Sequence, residues 1–184
     1  RSRLALVGET FDQVREVMIE GPSGIRACSP PDRRPEWVAT RRLLRWPNGA
    51  EAQAFSASQP EALRGPQFDA AWCDELAKWR RGAATWDNLG LGLRLGEAPQ
   101  ALVTTTPRRT PLLKRLLEAG DTVVTRAPTE ANAANLAPEF LAAMERQFGA
   151  TGFARQELGG ELLDDVEGAL WSRAELDAQR AAKA

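Results

Sequence analysis

Two adjacent carboxylates, Asp74 and Glu75, close the apolar run in FDAAWCDE. If that run is a strand of an α/β sheet, its tip faces the crevice beyond the carboxyl edge, where ligands gather. Two acids there can divide the work of nucleotide hydrolysis. Asp74 would hold a magnesium ion through a water, and Glu75 would position and activate the attacking water. The same pair would also serve simply as favourable negative charge opening a helix. A second polar tip, Thr104-Thr105-Thr106-Pro107, follows the run ALV. Threonines suit a strand, and their hydroxyls suit either a solvated end or a phosphate site. The two tips lie one strand-and-helix unit apart, so neighbouring strands would bring them into one crevice. The chain has no histidine and only two cysteines, Cys28 and Cys73, far apart. Ordinary zinc spacing and Ser-His or Cys-His catalysis are therefore excluded, leaving carboxylates, hydroxyls, arginines and a bound metal.

The elements that would carry these tips alternate between strand and helix, the signature of a mostly parallel sheet flanked by helices. RLALVG (3–8) is a short apolar strand. TFDQVREVMIEG offers Thr10 as N-cap, apolar residues at Phe11, Val14, Val17 and Met18, and Gly21 as the stop. Residues 22–35, rich in Pro, Gly, Ser and Arg, read as a loop. Pro47-Asn48-Gly49 predicts an inserted hairpin near residues 41–57. PEALRG is a helical turn, and FDAAWCDE a strand. TWDNLGLGLRLG is a helix capped by Thr85 and weakened by Gly90 and Gly92. QALVTTTP is a strand, TPLLKRLLEAG a helix with Pro111 in its first turn, and DTVVTRA (121–127) the last strand. From Asn132 the pattern predicts two or three short helices around GELLDD and an Ala-rich tail that frays.

At 184 residues and 43% hydrophobic, the chain can bury one sizeable core. A charged fraction of 27% with net charge −1 excludes a disordered chain. No apolar stretch approaches the roughly 20 residues of a membrane span, and no signal peptide opens the chain, so the expected location is the cytoplasm. Charge is uneven: residues 1–126 hold 19 basic and 15 acidic side chains, residues 127–184 hold 5 and 10. The basic excess fits ordinary surface or an arginine face for phosphate contact. The six tryptophans are dispersed, which favours packing over base stacking, with Trp79 beside Arg80 and Arg81 the one to test for DNA or partner contact.

In combination these segments resemble a known family. LRGPQFDAAWCDELAKW followed by ALVTTTPR is similar to the Walker B segment and coupling motif of phage-type large terminases, the motors that pump DNA into viral capsids. RLALVGETFDQVREVMIEGPSGI resembles the strand and helix after that family's Walker A helix, and GGELLDDVEGALWSRAELD its linker toward the nuclease domain. The resemblance covers nearly the whole chain in order, and a phage-derived gene-transfer particle would supply the same residues. It implies the P-loop nucleoside-triphosphatase fold, with residues 1–130 as ATPase core and 131–184 as helical subdomain and linker. Asp74 becomes the Walker B aspartate on the metal, Glu75 the catalytic glutamate, and Thr104, Thr105 and Thr106 the motif coupling hydrolysis to domain movement. Arg64, in LRGP, stands where such motors carry a candidate arginine finger, with Arg108 and Arg109 as rivals. The implied cofactors are ATP and Mg2+. The implied partners are double-stranded DNA, the portal protein, a small terminase subunit and copies of itself in a homo-oligomeric ring docked on the procapsid in the host cytoplasm.

One departure from the family pattern is plain. A phosphate-binding loop needs glycines followed by a lysine and a hydroxyl. None of the three lysines follows a glycine, and GPSGIRAC has Ile25-Arg26 where Lys-Ser or Lys-Thr would stand. The family's loop would fall before Arg1 and its nuclease acids after Ala184, so the chain alone is expected to bind nucleotide weakly or not at all. Two other readings remain at this point. One is a catalytically incomplete binding or scaffold module of a packaging complex, which the missing Gly-Lys favours and the paired acids oppose. The other is a helicase-like translocase ATPase, which would need further motifs after residue 110.

Overall fold

The computed structural model describes residues 1–149, 151–162 and 178–179. Most of the linker-like segment 159–177 and the Ala-rich tail lie outside the described residues. The chain divides into two compact units, Arg1–Thr105 and Thr106–Ala184.

The first unit is built on six strands: β1 (Arg3–Gly8), β2 (Glu36–Val38), β3 (Leu43–Arg45), β4 (Glu51–Ser56), β5 (Ala70–Asp74) and β6 (Gln100–Thr104). Their order in the sheet is β2-β3-β4-β1-β5-β6. The four strands β4, β1, β5 and β6 run parallel, while β2 and β3 extend the β4 side antiparallel. The α/β class and mostly parallel sheet expected from the alternation are therefore present. The expected hairpin is β3–β4, turned through Gly49 at φ +83°, where the Trp46 amide donates to the Ala50 carbonyl. Its second arm, β4, is also a central strand, paired along its length with β1.

One sheet face is sealed by the segment after β1. Thr10 Oγ1 accepts from the Gln13 amide and caps α1 (Phe11–Gln13), which widens into a π-helical turn over Val14–Ile19. Val14, Met18 and Ile19 from that turn pack with Leu6, Leu44, Ala52 and Ala54 from the sheet, all essentially buried. Burial of this kind contributes roughly 25 cal/mol per Å² of apolar surface, so this cluster carries much of the unit's stability. Gly8 is required here, since a Cβ on it would meet Val14 Cγ2 at 2.9 Å. Residues 22–35 are mostly loop, as expected, interrupted by the short helix α2 (Ile25–Cys28) and a 3-10 turn at Pro31–Arg33.

The chain returns from β4 to β5 through a 3-10 turn, Pro60–Leu63, and from β5 to β6 through α3 (Gly82–Gly92). Thr85 does not cap α3, which starts three residues earlier. It is fully buried inside the helix, donating its hydroxyl to the Ala57 carbonyl at 2.8 Å and to the Arg81 carbonyl at 3.0 Å. A buried threonine satisfied this way bonds back along its own helix instead of opening it.

The second unit contains α4 (Pro111–Leu117), capped by Thr110 Oγ1 on the Leu113 amide, a 3-10 segment at Thr129–Asn135, α5 (Pro138–Phe148) and α6 (Gly152–Glu157). The strand expected at 121–127 does not form. Val123 is 91% exposed, and the segment pairs with no strand among the described residues. β-branched residues favour strands because they fit a half-buried pleated surface, and without that surface their propensity does not make one.

Candidate functional site

The parallel strands end together, so Gly8, Ser56, Asp74 and Thr104 all stand at the carboxyl edge of the sheet. Parallel pairing sets Asp74 directly opposite Thr104. Thr104 Oγ1 donates to Asp74 Oδ1 at 2.6 Å and accepts from the Trp72 indole Nε1 at 3.0 Å. The hydroxyl thus links the strand-tip carboxylate to the tryptophan two residues earlier on the same face. Thr105 Oγ1 accepts from the Ala77 amide at 3.0 Å, tying the threonine run to the turn after Glu75. Trp79 is buried, and its indole donates to the Asp74 carbonyl at 3.0 Å. It therefore packs against the strand tip and has no face free for base stacking. Thr106 begins the second unit and is placed there.

Glu75 departs from ordinary backbone. Its φ and ψ are 52° and 42°, a left-handed conformation that costs a non-glycine residue on the order of 1–2 kcal/mol. The residue closes β5 and opens a 3-10 turn at Leu76–Lys78, too short to be the helix a charge-capping pair would serve. Glu75 Oε2 is buried and lies 3.2 Å from Lys78 Nζ, at ion-pair distance but without hydrogen-bond alignment. Strain and an ill-satisfied buried oxygen at one residue are features that cluster at functional sites.

The tips of β1 and β4 add groups that sequence reasoning missed. The Glu9 carboxylate accepts from the Arg80 amide at 3.2 Å, and its carbonyl accepts from Ser56 Oγ at 2.9 Å. Ser56 and Ser58 share a hydroxyl contact of 2.7 Å. The acid just after ALVG was the available signal for Glu9, since it repeats the pattern of an apolar strand ending in a carboxylate.

Arg64 is not drawn to these tips. Its guanidinium reaches Glu61 at 3.3 Å and Asn88 Oδ1 at 3.3 Å, on the layer formed by the Pro60–Leu63 turn and α3. It borders an apolar hollow of about 280 Å³ whose rim includes Leu91, 68% exposed. In the second unit Arg108 pairs with Glu157 at 3.3 Å. Cys73 is buried behind the acids, and burial pushes its thiol up to about 12, so it stays a neutral packing residue. Among the described residues no cluster of three or more His, Cys, Asp or Glu could cage a metal. A lone strand-tip carboxylate instead fits magnesium, which keeps most of its waters and takes further oxygens from phosphates. No described helix is long and apolar enough to cross a membrane.

Parallel strands sharing a polar carboxyl edge, with helical segments over the sheet, define an α/β domain whose fold matches that of terminase ATPase domains. The chain belongs to the family described as terminase large subunit, T4likevirus-type, N-terminal, whose model matches residues 2–178. Solved structures agree on the fold. The large terminase of a thermophilic bacteriophage, in complex with ADP, aligns with a TM-score of 0.69 at 14% identity over 88% of this chain and 40% of its own. The same phage protein in complex with ATP-gamma-S aligns with a TM-score of 0.68 at 15% identity, again over 88% and 40%. The large terminase ATPase domain of Thermus phage P74-26 aligns with a TM-score of 0.57 at 18% identity, over 88% of this chain and 77% of its own. The chain thus spans about 40% of the length of the thermophilic bacteriophage protein. No curated protein matches it.

Proposed function

We propose that this domain is the hydrolytic and coupling part of a DNA-packaging motor, acting on ATP within a large terminase to translocate double-stranded DNA into a procapsid. The observation that carries this reading is the Asp74–Thr104 bond beside the strained Glu75. Thr104 fixes one oxygen of Asp74, leaving the carboxylate's other oxygen to hold a magnesium ion through water. Bound magnesium would supply charge neutralisation on the phosphates. Glu75 orients the attacking water and receives its proton during in-line attack on the γ-phosphate. Thr105, bonded to the Ala77 amide, makes the turn after Glu75 move with the threonine run. This gives a physical route for Thr104, Thr105 and Thr106 to couple hydrolysis to movement.

Arg64 acts in trans on this reading. Its contacts within its own chain lie away from the strand-tip acids, and it stands beside an exposed apolar rim suited to a neighbouring subunit in a ring. There it would offset charge developing on a neighbour's γ-phosphate. The portal protein, a small terminase subunit and a cytoplasmic, procapsid-docked location follow from the same role.

The test is hydrolysis by the full-length large terminase that carries this domain. Glu75→Gln is expected to retain ATP binding and to lose turnover, and measurable turnover in that variant would remove the role assigned to Glu75. Arg64→Ala is expected to lower activity most in assembled rings; an equal loss in monomers rules out action in trans. The scaffold reading predicts instead that neither substitution changes packaging.

A further inference from the structure

We propose that Lys78 is a positioning residue that fixes the carboxylate of Glu75 for its work, and that it does so from a turn anchored to the threonine run. The inference rests on the reading of Glu75 as the water-activating group. Lys78 holds Glu75 at two points: its amide donates to the Glu75 carbonyl at 2.8 Å, and its ammonium lies 3.2 Å from Oε2. Both side chains are only about a third to two-fifths exposed, so the pair sits at the mouth of the site and not out in solvent. Oε2 itself is buried and meets no aligned hydrogen-bond donor among the described residues. The lysine charge is thus the nearest compensation for that oxygen, leaving Oε1 as the oxygen to accept from water.

The turn that carries Lys78 cannot shift freely. Ala77 on one side donates to Thr105, and Trp79 on the other donates through its indole to the Asp74 carbonyl. Displacement of the threonine strand would therefore carry Lys78, and with it the orientation of Glu75. A glutamate in left-handed backbone lacks a helix or strand ladder to fix its direction, and a neighbouring cation supplies that direction. Orientation matters at this scale, since a misplacement of about 1 Å at a reacting group can cost on the order of 100-fold in rate.

The experiment compares Lys78→Met, Lys78→Arg and Glu75→Gln, alone and combined, in the full-length large terminase. Lys78→Met is expected to lower kcat by about 10–100-fold with KM for ATP little changed, and Lys78→Arg to restore a substantial part of the loss. Without nucleotide, the melting shifts of Lys78→Met and Glu75→Gln are expected to be non-additive in the double variant, as for groups in contact. Unchanged kcat in Lys78→Met while Glu75→Gln is inactive overturns the positioning role and leaves the function of Glu75 standing. Additive melting shifts, or a Lys78→Met loss confined to KM, overturn it as well. Turnover by Glu75→Gln would instead remove the underlying reading, and the positioning role with it.

Discussion

Two regions of the first unit are built on opposite terms. Over β1 and β4, Leu6, Val14, Met18, Ile19, Leu44, Ala52 and Ala54 close into a cluster with almost no exposure, on regular strands and a capped turn. At the tips of β5 and β6, Glu75 sits in left-handed backbone, one of its oxygens is buried without an aligned donor among the described residues, and Leu102 on the edge strand is 63% exposed. The first region keeps most local rules, its π-helical turn and left-handed Arg42 beside β3 excepted, and provides stability. The second breaks several of them within a few residues, and the broken rules surround the groups read as hydrolytic. Stability and chemistry are therefore separable here, which gives each region its own mutational signature.

The largest expected effect lies in the first region. Leu44→Ala should cost about 2–5 kcal/mol of stability, read as a lowered denaturant midpoint. A change well under this would mean that the cluster is not the stabilising half. Thiol labelling draws the same line on β5: exposed Cys28 should react in the native state and buried Cys73 only on unfolding. The raised folded pKa of Cys73 means that its contribution is full below the unfolded thiol value and is lost as pH rises toward about 12. Rapid native labelling at Cys73 would contradict the packing behind the acids. In the second region, Thr104→Val should cost only about 1 kcal/mol of stability. In the full-length motor the same change should lower turnover by about 10–100-fold, because it frees the carboxylate of Asp74. An effect on stability alone would make the threonine structural. The smallest change is Thr10→Ala, expected to remove about 1 kcal/mol through the lost cap without touching turnover.

How much of this was legible from the residues depends on the range of the interaction that decided each feature. Thr10 and Pro111 announced their helices because capping and first-turn signals are local, and Pro47-Asn48-Gly49 announced its turn for the same reason. The strand at 121–127 failed because Val123 and Val124 carry β-propensity but stay 91% and 47% exposed, with no strand beside them among the described residues, a fact set by tertiary structure. Thr85 looked like a cap and is a buried hydroxyl instead, since its partner Ala57 lies 28 residues away. At the site, the residue types and order of Asp74, Glu75 and Thr104–Thr106 were visible, and parallel pairing set Asp74 beside Thr104. The left-handed conformation of Glu75 and its contact with Lys78 were not visible, because no pattern in DELAKW specifies them. Glu9 was overlooked although it follows ALVG, the same apolar-run-then-acid arrangement read at Asp74.

Glu75→Gly tests the separation of stability and chemistry most directly. Glycine adopts the left-handed conformation freely and removes the ill-satisfied buried oxygen. Stability should therefore rise, by an amount on the order of 1 kcal/mol, while ATP turnover in the full-length motor disappears. Loss of stability together with retained turnover would contradict the account at its centre, since Glu75 would then be a structural residue and the strand tip an ordinary end.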